Sequence, residues 1–176
     1  QAMLLEVNGR LEEEKLREAV GEVLRQHDGL RTRFWREGGE WKAEIQRKKE
    51  GEPVEVVDLS EKEEEESREE METHMEGVQR SLKLETGELV KVVYYDRGEG
   101  QKGRLLLVIH HLVVDGVSWR ILLEDLQQVY QDLETGRKAI LPAKTASVIQ
   151  WGNRIQEFQK RDLSEIAQYW IDPNEK

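Results

Sequence analysis

The sequence contains one short segment, Leu105 to Ile109, in which every residue is a large aliphatic one. A membrane-spanning helix needs roughly 20 apolar residues, so this run is far too short to be one. A continuous apolar run of this length is typical of a strand whose two faces are both buried. We therefore predict a central strand from Arg104 to His110, covered on both sides.

Strand and helix patterns mix along the rest of the chain without a regular βαβ alternation. The sequence predicts further strands over 3–7, 30–35, 41–45, 54–57 and 89–95, with a hairpin turn at Gly38-Gly39. It predicts helices over 11–26, 61–82, 117–133, 147–160 and 163–170. Ser60 is the expected N-cap of the second, Glu-rich helix, whose apolar seam is Met71, Met75, Val78 and Leu82. This mixture indicates an α+β fold.

Composition excludes several classes of function. The 176 residues suit one domain with its own core. The net charge of −10 opposes binding to nucleic acid or to anionic membranes. The chain has no cysteine, and hence no disulfide and no thiol nucleophile. It shows no signal peptide, so a cytoplasmic protein is the default expectation. Both ends resemble cut points, and we expect a fragment of a longer chain.

Two adjacent histidines and an Asp-Gly pair follow the predicted central strand, as His110-His111 and Asp115-Gly116. A histidine at a strand end is held by a rigid scaffold, can be reached from a cleft, and titrates near neutral pH, which suits a general base. Asp115 could orient the ring or anchor the loop, and Gly116 permits a sharp turn. The plainer alternative is a histidine that is only packed or solvated. A metal site is disfavoured, because His27 and His74 lie far off in sequence and no convincing third ligand exists.

The pattern His-His-x-x-x-Asp-Gly resembles the active-site signature of condensation and epimerization domains of nonribosomal peptide synthetases. Residues 25–34 resemble a second family segment, Arg-His-Glu-x-Leu-Arg-Thr-x-Phe, with Gln26 and His27 interpreted as departures at its histidine and glutamate. Residues 117–126 and 141–147 resemble the epimerization branch in particular. The resemblance implies a chloramphenicol acetyltransferase-like lobe with a mixed sheet flanked by helices. Residues 1–176 would form the N-terminal lobe, with the C-terminal lobe absent and the isolated fragment inactive.

The resemblance also implies a role for each matching residue. His111 is the expected catalytic residue, and His110 supports it structurally. Asp115 would hold the loop through an ion pair with Arg31, and Gly116 would let the backbone approach the substrate tunnel. Ser118 and Trp119 are candidates for lining that tunnel. They could equally be a helix N-cap and a packing residue.

The implied activity is epimerization at the Cα of an aminoacyl or peptidyl thioester. The substrate would be carried on the phosphopantetheine of a peptidyl carrier protein, and no cofactor would be bound directly. A condensation domain, which forms the peptide bond with the same histidine, is one alternative. A free-standing acyltransferase and a non-catalytic docking module are the others.

Overall fold

The computed structural model describes residues 1–47, 53–161 and 163–171. The chain divides into two compact units, Gln1–Pro142 and Ala143–Lys176. The strands are β1 (Ala2–Glu6), β2 (Thr32–Glu37), β3 (Glu40–Ile45), β4 (Val54–Asp58), β5 (Val90–Asp96) and β6 (Arg104–Ile109). The helices are α1 (Glu13–Gln26), α2 (Glu64–Arg80), α3 (Gly116–Glu134), α4 (Val148–Gln159) and α5 (Ser164–Ile171).

The first unit is built around a mixed four-stranded sheet with the strand order β1-β6-β5-β4. The β4 and β5 strands pair in parallel, whereas the other neighbours are antiparallel. The apolar strand β6 therefore lies inside the sheet, as its sequence predicts. Its alternate residues Leu105, Leu107 and Ile109 join a core with α1 and α3, and Leu106 and Val108 join a second core with α2. The prediction of an α+β fold with helices flanking a mixed sheet is confirmed.

The acidic helix α2 covers its face of the sheet with a thin apolar seam. Met71 and Val78 are buried, and Met75 and Leu82 pack beside them, as the spacing predicts. The predicted N-cap is wrong, because the helix begins at Glu64 after an N-cap at Glu63. The Ser60 backbone N–H instead donates to the Asp58 carboxylate, which holds the chain in a turn after β4.

A 3-10 turn from Asp28 to Arg31 occupies the start of the predicted strand over 30–35. The strand β2 therefore begins only at Thr32 and forms a separate two-stranded sheet with β3. Gly38 and Gly39 join the two strands with φ values of 59° and 85°. Two consecutive positive φ angles are those of a tight hairpin turn, so the predicted turn is confirmed.

The second unit contains α4 and α5. Ser147 and Gln150 form a reciprocal capping box at the start of α4, with the Gln150 N–H donating to Ser147 Oγ at 3.2 Å. The helix has no buried residue, and Trp151 is 61% exposed. Within the described residues of either unit, no helix is long and apolar enough to cross a membrane.

Candidate active site

The candidate site is the turn that leaves β6 and enters α3. The His110 backbone N–H donates to the Leu89 carbonyl at 2.9 Å, which continues the sheet pairing one residue beyond β6. The Val113 N–H then donates to the His110 carbonyl at 3.0 Å and closes a tight turn. Val114 is buried in the core with α1 and α3. The turn is thus fixed at both ends, and His111 lies at its exposed apex.

The His111 ring is oriented by the backbone of its own turn. Its Nδ1 lies 2.8 Å from the Val114 carbonyl oxygen. A carbonyl can only accept a hydrogen bond, so Nδ1 carries the proton of the neutral ring. The lone pair is consequently on Nε2, which is the nitrogen that could take a proton from a substrate.

His110 has the opposite arrangement. Its Nδ1 accepts a hydrogen bond from the Leu112 backbone N–H at 3.2 Å. The proton of the neutral His110 ring is therefore on Nε2. Its acceptor nitrogen is used within the turn, which agrees with a supporting role for this ring.

Asp115 caps the N-terminus of α3. One carboxylate oxygen, Oδ1, accepts hydrogen bonds from both the backbone N–H and the hydroxyl of Ser118, each at 2.7 Å. The Ser118 hydroxyl, followed by its backbone N–H, lowers the pKa of Asp115, and the charge of His111 adds a smaller effect in the same direction. Ser118 is thus turned towards Asp115, and both residues stabilise the start of the helix that follows the histidines.

The expected ion pair between Arg31 and Asp115 is wrong. The Arg31 guanidinium pairs with Asp28, three residues earlier on the 3-10 turn. It also donates to the backbone carbonyls of Leu24, Gln46 and Arg47. The last turn of a helix leaves its carbonyls without intrahelical donors, and Arg31 supplies one to α1 at Leu24. Arg31 therefore joins α1, the 3-10 turn and the end of β3.

Trp119 is buried in the core with α1 and α3, where 8% of its surface is exposed. Its indole Nε1–H donates to Gln1 Oε1 at 2.7 Å. Gln1 Nε2 in turn lies 3.4 Å from His111 Nε2. Sequence reasoning did not single out Gln1, and no local pattern marks it. Only the pairing of β1 with β6 brings it to the site.

A family model described as Condensation domain matches residues 1–175. The chain belongs to the Condensation domain family.

Relatives of this Condensation domain chain include subunits of two bacterial synthases. It is 44% identical over 172 residues to one of the subunits of linear gramicidin synthase from Brevibacillus parabrevis. It is 36% identical over 174 residues to surfactin synthase subunit 1 of Bacillus subtilis. The alignments cover 97% of this chain in both cases, but only 3% and 5% of those proteins. The chain thus spans a small fraction of the relatives that it matches.

Solved structures agree on the fold of this Condensation domain chain. The epimerization domain from the third module of tyrocidine synthetase B superposes with a TM-score of 0.86 at 34% identity, covering 97% of this chain and 37% of that one. The starter condensation domain of rhizomide synthetase gives a TM-score of 0.82 at 18% identity, with coverage of 97% and 41%. The second match supports the fold alone. The predicted chloramphenicol acetyltransferase-like fold is confirmed.

The departure expected at the histidine of the second family segment is wrong. Counting back from Leu30 places the histidine of the pattern at His27 and its glutamate at Asp28. The differences are therefore Gln26 for arginine and Asp28 for glutamate. His27 Nε2 lies 2.6 Å from Asp125 Oδ2 and ties the end of α1 to α3.

Metal-ligating side chains do not cluster in this part of the molecule. Across residues 1–47, 53–161 and 163–171, no group of three or more His, Cys, Asp or Glu side chains is placed to hold a metal ion. The turn itself presents the exposed imidazole of His111 on a fixed backbone.

Proposed function

We propose that this chain takes part in epimerization at the Cα of an aminoacyl or peptidyl thioester, with His111 as a general acid and base. The observation that carries the proposal is the fixed ring of His111. Its Nδ1–H donates to the Val114 carbonyl, with 2.8 Å between Nδ1 and the oxygen. The lone pair of Nε2 therefore remains available for proton transfer. The ring is exposed at the end of a buried strand, where a substrate could reach it.

The proton transfer involves two steps and consumes no co-reactant. The thioester acidifies the Cα–H bond, and His111 Nε2 takes that proton while the electron pair moves into an enolate. Return of a proton to the opposite face of the planar carbon gives the other configuration and regenerates the thioester. Asp115 follows in the same turn, and its hydrogen bonds from Ser118 lower the pKa of its carboxyl group, so it is ionised near neutral pH.

A second acid or base is needed on the other face of the substrate. We infer that residues 1–176 form the N-terminal lobe of the domain and that the C-terminal lobe supplies this group, as a carboxylate. The substrate arrives on the phosphopantetheine of a peptidyl carrier protein, and the domain binds no cofactor directly. Such a division would leave the isolated fragment inactive.

Condensation is the second candidate, since the same histidine could assist an amine that attacks a donor thioester. The 34% identity to the tyrocidine synthetase epimerization domain favours epimerization. The resemblance of residues 117–126 and 141–147 to that branch points the same way. The matching family model is described as Condensation domain, whereas a similar solved structure is an epimerization domain, so both activities remain candidates.

The test uses the full-length protein that carries this chain, incubated in heavy water with a carrier-bound peptidyl thioester. Mass spectrometry follows deuterium uptake at Cα for the unchanged protein, for His111→Ala and for the matched control His74→Gln. His74 lies on α2, at the opposite face of the sheet, where its Nδ1 is 3.0 Å from the Tyr95 hydroxyl. We expect uptake in the unchanged protein and the control, and a loss of at least about 100-fold in His111→Ala.

The other outcomes would point to a different function or remove the role of His111. Amide formation with an added acceptor, without deuterium uptake, would establish condensation in place of epimerization. Neither reaction in the unchanged protein would favour a docking module. Uptake that survives in His111→Ala would overturn the role of His111.

A further inference from the structure

We propose that Gln1 is a positioning residue for His111, and that Gln1 and Trp119 together keep the His111 Nε2 lone pair available. This inference deepens the proposed function, since it rests on His111 acting as a base. Gln1 acts through the ring of His111 and is not itself given a contact with substrate.

The sheet fixes the position of Gln1. Its backbone nitrogen donates to the Ile109 carbonyl and its carbonyl accepts from the Ile109 N–H, both at 2.9 Å. This pair extends the β1–β6 ladder by one residue beyond the pairing of Ala2 with Val108. Partners in an antiparallel ladder project from the same face of a sheet. The Gln1 side chain thereby reaches the α3 side, where Trp119 and His111 lie.

A chain of hydrogen bonds runs from Trp119 through Gln1 and His111 to the Val114 carbonyl. Its direction is determined at both ends. The Trp119 indole nitrogen can only donate, so the Gln1 oxygen faces it and the Gln1 amide N–H₂ faces His111. The Val114 carbonyl can only accept, so His111 donates from Nδ1 and accepts at Nε2.

This polarity opposes a proton on the catalytic nitrogen. If His111 Nε2 carried hydrogen, it would meet the N–H₂ group of Gln1, and two donors would face each other. The amide could rotate to present its oxygen, but the buried indole N–H of Trp119 would then lose its acceptor. The Gln1–His111 contact is long, at 3.4 Å, so a substrate can displace it readily.

The test reads the proton position on His111 directly. The chain has four histidines, so ¹⁵N-labelled histidine gives a simple spectrum that reports which ring nitrogen carries hydrogen. The 176-residue chain is compared as the unchanged sequence, Gln1→Glu, Trp119→Phe and the control Gln131→Glu. Gln131 is exposed near the other end of α3, so its substitution makes the same chemical change away from the site.

We expect His111 to carry its ring hydrogen on Nδ1 in the unchanged chain and in the control. Gln1→Glu places an acceptor opposite Nε2, and Trp119→Phe frees the amide to rotate. Each should raise the Nε2-protonated fraction about threefold, as expected for reversing one weak hydrogen bond. None of these substitutions changes Asp115 or Ser118, whose hydrogen bond begins α3 beside the site.

Catalysis in the full-length protein provides a second measurement. Gln1→Glu should lower kcat for deuterium exchange about threefold to tenfold with KM unchanged, because Gln1 acts on the base and not on the substrate. A dominant Nε2–H form in the unchanged chain would overturn the inference, as would spectra that are identical in both site variants. If Trp119→Phe does not fold, Gln1→Glu alone decides. Altered spectra without any exchange activity would refute the proposed function and leave the positioning of the ring intact.

Discussion

Arg31 offers a direct test of how this fold is held together, because its expected and observed partners differ. Its side chain is 12% exposed, and its guanidinium pairs with Asp28 and donates to three backbone carbonyls. Hydrogen bonds of charged groups contribute about 1.5–3 kcal/mol each but do not add when one side chain makes them all. We expect Arg31→Ala to lower the free energy of unfolding by about 3 kcal/mol.

Double-mutant cycles separate the two possible partners. The Asp28 side chain is 25% exposed, so solvent screening reduces the attraction, and we expect a coupling of about 1 kcal/mol with Arg31. No measurable coupling is expected with Asp115, whose Oδ1 is bound by Ser118.

The assay is urea unfolding of the 176-residue chain followed by circular dichroism, with Arg36→Ala as the control. Arg36 is exposed on β2 and lies 5.0 Å from the centre of the Trp41 ring, so its loss should cost about 0.5 kcal/mol or less. A larger coupling with Asp115 than with Asp28 would refute the reasoning and restore the ion pair that the family resemblance implies.

Three further predictions concern the tyrosines and their neighbours. Tyr130→Phe should cost about 1 kcal/mol in urea unfolding, because the Glu12 N–H at the start of α1 would lose the hydroxyl that accepts from it at 2.9 Å. Burial raises the pKa of Tyr94, Tyr95 and Tyr130. Their stabilising contribution is complete below the unfolded value of about 10 and is lost as pH rises through the raised folded values, so the free energy of unfolding should fall progressively from about pH 10 upwards. A flat profile there would contradict it. Gly103→Ala should cost about 1–3 kcal/mol, because a Cβ at Gly103 would meet the Tyr94 ring at 2.6 Å, and normal stability would show that the ring can move.

Local patterns predicted much of this fold because they act over a few residues. The apolar run Leu105 to Ile109 located the central strand, and the seam from Met71 to Leu82 located the covering face of α2. The errors arose where two local options compete. Ser60 can begin a helix or close a turn, and Asp58 at the end of β4 favours the turn.

The site was predicted less completely, because its geometry depends on contacts between distant residues. The His-His-x-x-x-Asp-Gly pattern located the turn, but the N-cap of α3 is Asp115 and not Ser118, which donates to Asp115 instead. The predicted partner of Arg31, Asp115, was wrong because it came from the family resemblance. The observed partner, Asp28, lies only three residues away along the chain. Gln1 carries no signal of its own, since its role depends on strand pairing across the whole sheet.

The pairing of Gln1 with Ile109 joins residues 108 positions apart in sequence. During synthesis, β6 must therefore leave the ribosome before Gln1 can pair with Ile109. Until then β1 has no neighbouring strand to pair with. Contacts of such long range carry the largest loop-closure entropy and tend to form late in folding. The contacts of Gln1 with Ile109 and His111 should accordingly form late in folding, after the β5–β6 hairpin.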